Sequence, residues 1–258
     1  MSPEQSLEWP IASQDETLSH EGETHDVECR KGKETSVDVM EGAFVDSPGV
    51  MMKAQTIGEA WLAVVRHIVE QGHRSSYDGL GVSEVLLVTL RVEQPNSSDP
   101  TIDQLADAER LAWMHANFSD HATVSILGDA DSYATRIYDY AHTGRDQLAW
   151  VVERLRTDPR SRSATITTLQ PLTDTDYIPC VSLLDFYLDD GALRQVATCH
   201  SIDFGAKGYG NLVELAHISE KVVDALGAPV GPLVMAVKSA HVYDTDDAYV
   251  DRILGEKH

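Results

Sequence analysis

The chain is short of basic charge, of cysteine and of long apolar runs. Only 20 lysines and arginines stand against 42 acids, a formal charge of -22. Such a surface repels phosphate backbones and disfavours nucleic acid as a partner. The three cysteines, Cys29, Cys180 and Cys199, are odd in number and far apart. They form no CxxC pair and no disulfide framework, which predicts a reducing, cytoplasmic setting. No stretch approaches the roughly 18 apolar residues of a membrane span. The opening MSPEQSLEWP lacks the basic start and apolar run of a secretory signal. Phosphate-binding and metal motifs are also missing. There is no GxxxxGK[ST], no GxGxxG after a strand, no HExxH and no GxSxG. Gly205–Gly210 reads as a flexible glycine-rich loop. His217 and Glu220, three apart on a helix, read as a solvated face, and no metal site is expected.

What remains is an ordinary globular composition, 42% hydrophobic and 24% charged over 258 residues. The first 50 residues differ, with about 12 acids against three bases, Arg30, Lys31 and Lys33. They carry too little apolar surface to offset ordering entropy, so residues 1–52 read as a disordered acidic tail and 53–258 as one catalytic domain.

Periodicity places a helix from Ile57, with Trp61, Val64, Val65, Ile68 and Val69 on one face and Gly72 as its stop. Val82 to Pro95 reads as a buried strand, Thr101–Asn117 as a helix, Ala122–Leu127 as a strand and Gln147–Arg156 as a helix. A β-rich run, SATITTLQP, follows. Val181–Asp203 reads as two strands joined at Asp189-Asp190-Gly191, a hairpin signal. A helix over Leu212–Leu226, a strand over VGPLVMAVKSAHVY and a short helix over Ala248–Leu254 complete the chain. The mixing of strands and helices without strict alternation predicts α+β rather than a doubly wound sheet.

Cys180 stands after a proline at the entry to a strand. A cysteine so placed, with arginine upstream, can be held as a thiolate nucleophile, or it can be an inert buried residue. Its company bears on the choice. Pro179-Cys180 is followed by Asp185-Phe186-Tyr187-Leu188, then His200-Ser201-Ile202-Asp203, then Asn211 eight residues past Asp203, then His241-Val242-Tyr243. Upstream lies Asp158-Pro159-Arg160-Ser161-Arg162-Ser163.

In this order and spacing, the run resembles the thymidylate synthase family, over about Tyr133–Asp246 and more loosely from Ile57. Its length is nearer the compact archaeal-type members than the long bacterial ones. The resemblance implies a mixed sheet flanked by helices and a homodimer. It makes Cys180 the nucleophile, with Asp203 and Tyr133 in the catalytic set. Asn211 would read the pyrimidine edge, His241 and Tyr243 the sugar hydroxyl, and His200 and Ser201 the phosphate region. Arg162 would reach the phosphate from the partner subunit.

The implied substrate is a pyrimidine nucleotide and the implied cofactor 5,10-methylenetetrahydrofolate. The chemistry is coherent. Carbon 5 of a pyrimidine is a poor nucleophile until a thiolate adds at carbon 6. Asparagine can serve both a donor and an acceptor on uracil, whereas aspartate would suit cytosine.

The chain departs from the family at its anion contacts. His200 replaces an arginine, Ser163 a second one, and Tyr77-Asp78-Gly79-Leu80-Gly81 stands where an arginine-led glycine motif is expected. Arg136, Arg145 and Arg160 are candidate substitutes. The segment Tyr133-Ala134-Thr135-Arg136-Ile137 keeps only the tyrosine of its counterpart. Glu109 and Trp113 are the only candidates on the folate side, where a helix surface and a core tryptophan are the plainer readings. Three activities stay open: C5 methylation with uracil favoured, 5-hydroxymethylation of CMP, dCMP or dUMP, and an inactive homologue that binds nucleotide or a partner.

Overall fold

The computed structural model describes residues 38–41, 49–77, 79–119, 123–124, 129–175 and 177–255, with only the backbone at 38–41 and 123–124. Its centre is an eight-stranded mixed sheet, of strands β1 (Asp38–Glu41), β2 (Val50–Ala54), β3 (His73–Tyr77), β4 (Leu80–Val92), β7 (Ala164–Thr167), β8 (Val181–Asp189), β9 (Ala192–Asp203) and β10 (Val230–Tyr243). A separate two-stranded pair joins β5 (Thr123–Val124) to β6 (Ala130–Asp131). The order is β1-β2-β4-β10-β9-β8-β7, with β3 also on β4. Only β2 with β4 and β9 with β10 run parallel. The expected α+β class holds, with helices flanking a mixed sheet.

Helix α1 (Ile57–Gln71) starts where Thr56 Oγ1 accepts from Glu59 N and Glu59 Oε2 accepts from Gln55 N. Its stripe of Ile57, Trp61, Val64, Val65 and Ile68 is fully buried. Each such side chain contributes about 1.5–3 kcal/mol by leaving water. Val69, expected on that stripe, is instead exposed. Trp61 Nε1 donates to Phe204 O across the core at 3.0 Å. Helices α5 (Gln147–Thr157) and α6 (Gly208–Leu226) complete the cover. The opposite sheet face leaves Met51, Leu86 and Tyr187 in solvent.

Several boundaries move. The expected tail overlaps β2, where Met52 and Ala54 are fully buried, so the sheet begins before residue 53. Residues 1–37 and 42–48 lie outside the described residues. The single helix expected over 101–117 is two, α2 (Pro100–Leu105) and α3 (Ala108–Ser119). Asp107 between them turns its carboxylate onto Glu109 N and Arg110 N and starts the second. Of the strand expected at Ala122–Leu127, Thr123–Val124 pairs with β6 and the rest lies outside the described residues.

Two short elements carry little periodic signal: β3, whose residues are all exposed, and α4 (Tyr133–Tyr138), with five of its residues buried. The hairpin β8–β9 turns as expected, with Asp190 (φ 51°) and Gly191 (φ 79°) both left-handed. Helix α7 (Asp247–Leu254) closes the described fold.

The supposed loop at Gly205–Gly210 is half turn and half helix, since α6 begins at Gly208. A Cβ on Gly208 would lie 2.6 Å from the Phe204 ring, and one on Gly210 3.0 Å from Met114 of α3. These glycines serve close packing rather than flexibility.

Candidate active site

Strand pairing brings the separated motifs into one row. Parallel β9 and β10 set Ser201 opposite Ser239 and Asp203 opposite His241. Antiparallel β8 adds the third position: Val181 faces Cys199, and His200 N donates to Cys180 O at 3.1 Å. Cys180, Ser201, Asp203 and His241, distant in sequence, therefore share one region of the sheet. Pairing is irregular along a line through it. Ser182 has no register partner, Lys238 and His200 are skipped between β10 and β9, and Leu87 takes φ 58° in β4. Bulges of this kind re-aim side chains beside functional sites.

Cys180 is half-buried. Burial pushes its thiol up; Lys207 pulls it down, Asp203 raises it, and a hydrogen bond from the Tyr177 hydroxyl favours the thiolate. Tyr133 is buried beneath the thiol's strand entry. Its buried hydroxyl accepts from Val181 N at 2.9 Å, its ring stacks on Phe118, and its own N donates to Asn117 Oδ1. It fixes the backbone next to the thiol. Asp203 receives Gly205 N and Ala206 N, both at 3.1 Å, and so shapes the turn into α6. Burial, with Asp246 adding to it, raises its carboxyl to about 6.

Asn211 lies in the first turn of α6 and is 3% exposed. Its Nδ2 donates to Lys207 O at 3.1 Å, while Oδ1 is buried with no hydrogen-bond partner among the described residues. Such an orphan costs about 1–3 kcal/mol unless something fills it. His241 meets Ser201 Oγ through Nδ1 at 3.4 Å and packs edge-on against Tyr243, ring centroids 5.1 Å apart. Burial holds His241 below the ordinary imidazole range. His200 faces Ser182 Oγ at 3.5 Å and is also held low, first by burial and then by Lys238. Near pH 7 it is a neutral group, not a replacement cation.

The arginines sort differently. Arg162 is exposed on the loop before β7, in a groove with Arg160, Asp185 and Tyr187. Nearby Ala164 pairs with Phe186, six residues along β8 from Cys180, or about 20 Å at ~3.4 Å per residue. Within the chain Arg162 does not meet the thiol. Arg136 is 2% exposed and forks onto Asp174 at 2.8 and 2.7 Å, with Thr168 O and Asp131 O completing its bonds. It is committed to structure. Arg145 lies over Trp150, 5.9 Å from its ring centroid. Arg74 of β3 is tied to Asp244, next to Tyr243.

Lys207 and Tyr177 were missed from sequence. Neither lies in a motif with a distinctive spacing; Tyr177 stands only three residues before Cys180, whereas Lys207 reaches it through folding. Lys207 Nζ also lies 5.8 Å from the Trp113 ring of α3. Glu109 is exposed at the start of α3, and Glu220 binds Ser97 rather than joining His217.

A half-buried thiol at a strand entry, with a raised carboxyl and an imidazole paired on the neighbouring strands, is a candidate nucleophile site in a mixed α/β fold. Sequence comparison gives the same class a family. The family model described as Thymidylate synthase matches residues 96–257, so the chain belongs to the thymidylate synthase family. A protein of Methanosarcina barkeri named "Putative thymidylate synthase" is 29% identical over 214 residues, 80% of this chain and 95% of that one. One of Methanothermobacter thermautotrophicus, of the same name, is 27% identical over 220 residues, 79% and 97% of the two chains. The thymidylate synthase of Listeria monocytogenes is 24% identical over 152 residues, 57% of this chain and 48% of that protein. Among the described residues, no helix is long and apolar enough to cross a membrane.

Proposed function

We propose that the chain transfers a one-carbon unit to carbon 5 of a pyrimidine nucleotide, a uracil nucleotide by preference, with Cys180 as the nucleophile. The observation that carries this reading is the row across β8, β9 and β10, with Cys180 beside His200-Ser201 and Asp203 beside His241. Cys180 Sγ adds to carbon 6 of the base and turns carbon 5 into a nucleophile. Lys207 and the Tyr177 hydroxyl favour the thiolate against the burial that opposes it.

Asn211 presents an unpartnered carboxamide oxygen, an acceptor suited to the ring N–H of uracil. The neutral His241, with Tyr243 beside it, suits a sugar hydroxyl. Asp203, near pH 6, can hold or release a proton close to neutrality. Tyr133 acts as a positioning residue, through the Val181 amide.

The family generally uses 5,10-methylenetetrahydrofolate, which would supply the one-carbon unit. Half-buried Trp113 with Lys207 Nζ near its ring fits a flat heterocycle and an anionic tail, so these two residues would hold it. The exposed sheet face with Met51, Leu86 and Tyr187 supports a homodimer, in which Arg162 reaches the phosphate of the partner's site.

A second reading is a homologue that binds nucleotide without turning it over. The commitment of Arg136 to Asp174 favours it, because it removes one of the three arginines that could replace the missing anion contacts. The deciding experiment is tritium release from carbon 5 of dUMP, UMP, dCMP and CMP, with and without methylenetetrahydrofolate, beside Cys180→Ala. Release from one nucleotide, lost in the variant, is the expected result, and product mass separates methyl from hydroxymethyl. No release from any of the four by folded protein sinks the enzyme reading in favour of the second.

A further inference from the structure

Away from the row of strands, α3 and α6 bring three metal-ligating side chains together. His115 of α3 and Glu214 and His217 of α6 each offer a ligand atom within 4.8 Å of the others. Both rings turn Nδ1 toward the same oxygen: His115 lies 3.0 Å from Glu214 Oε1, and His217 3.4 Å from it. The two imidazoles meet edge-on, centroids 5.8 Å apart. His217 Nδ1 is buried and, among the described residues, makes no hydrogen bond.

Glu214 has a side chain only 5% exposed and, among the described residues, pairs with no lysine or arginine. A carboxylate out of water needs a compensating charge. Two imidazoles on one oxygen supply it poorly, since one ring lacks hydrogen-bond geometry. A cation between the three answers both the buried carboxylate and the orphaned nitrogen. At metal–ligand bonds of ~2.1 Å, tetrahedral ligand atoms stand about 3.4 Å apart, so small side-chain rotations close the cluster. The rings are half-open to solvent, 59% for His115 and 36% for His217, which leaves an entry path and room for water ligands.

We propose that His115, Glu214 and His217 form a binding site for one divalent first-row transition metal, of the Zn2+ kind, that clamps α3 to α6. Two imidazoles and one carboxylate, with remaining positions for water, is a donor set for Zn2+, Co2+ or Ni2+ rather than for Ca2+ or Mg2+. No local motif announces it. His217 and Glu220 share a helix, but the working partner is Glu214, one turn in the other direction, and His115 arrives from another helix. The clamp joins the helix bearing Trp113 to the helix bearing Asn211, so it bears on the candidate active site without touching the thiol.

The test is equilibrium dialysis of the full chain, stripped of metal, against Zn2+, with Co2+ as a spectroscopic probe. One metal per chain at micromolar affinity or tighter, with visible Co2+ absorption of a low-coordinate site, is expected. His115→Gln changes an exposed ring and leaves the metal-free melting temperature unchanged; it weakens binding by about tenfold or more, as does His217→Gln. Zn2+ raises the melting temperature of the natural chain and not of the variants. No saturable binding, or binding unchanged in both variants, overturns the proposal and leaves Glu214 as a carboxylate paired with two histidines.

Discussion

The two halves of the candidate site differ in how they are made. The nucleophile half, Cys180 with Asp203, Asn211 and His241, is assembled by strand pairing and one helix turn. Its groups are mostly buried, uncharged or shifted toward neutrality, and one polar atom is left open. The anion half is scattered. His200 is held neutral, Arg136 is committed to Asp174, and Arg162 is exposed far along β8. A nucleophile needs a dry, fixed setting that one chain's core supplies. A dianion needs guanidinium groups, and this acidic chain keeps few to spare.

The largest effect should come from breaking the nucleophile half. Cys180→Ser is expected to lower carbon-5 tritium release by about a thousandfold or more with an unchanged melting temperature. Retained release would remove Cys180 from the chemistry.

The opposite break, in the anion half, should strike stability rather than turnover. Asp174→Ala leaves the Arg136 guanidinium buried and unpaired, which should cost about 3–5 kcal/mol in urea denaturation. A loss below about 1 kcal/mol would mean that Arg136 is free to serve a ligand.

Asn211→Asp sharpens the comparison by inverting base choice. Release from uracil nucleotides should fall about 10–100-fold relative to cytosine nucleotides, read as the ratio of kcat/KM values. An unchanged ratio would take Asn211 away from the base.

Lys207→Met tests the cation that acts on Cys180. Without it, the pH midpoint for alkylation of Cys180 should move up. A midpoint that stays or falls would show that the lysine does not act on the thiol.

The smallest effect concerns Asp203. Its carboxyl stands at about 6 in the fold against an ordinary 3.8, so the folded state holds this proton more tightly than the unfolded chain. Its contribution to stability is therefore greatest below pH 4 and declines as pH rises toward 6. Asp203→Asn should flatten that part of the stability–pH curve. A curve of the same slope would place the raised carboxyl elsewhere.

The contrast between the halves also explains what could be read in advance. Cys180, Asp203, Asn211 and the His241-Val242-Tyr243 trio were legible because each sits in a short motif with fixed spacing. The hairpin at Asp190-Gly191 was legible because two successive left-handed residues need that chemistry. Lys207 and the His115–Glu214–His217 cluster were not, since each joins elements that no local spacing links, and Tyr177, though three residues from Cys180, belongs to no recognisable motif. Helix α4 escaped notice because a short helix with five buried residues has no amphipathic period. The glycines at 208 and 210 were read as loop because their reason is a neighbour, Phe204 or Met114, rather than a backbone angle.

By itself the sequence determined the class of fold, the order of the main helices and strands, the family and the candidate nucleophile. These rest on local pattern: period, turn residues and motif spacing survive without knowledge of partners. Only the tertiary structure decided that β9 and β10 run parallel, which sets His241 beside Asp203. It also decided that Arg136 is locked to Asp174 and that Asn211 keeps an open acceptor. Burial and pairing belong to the packed whole, and there a charge is either satisfied by a neighbour or left for a ligand.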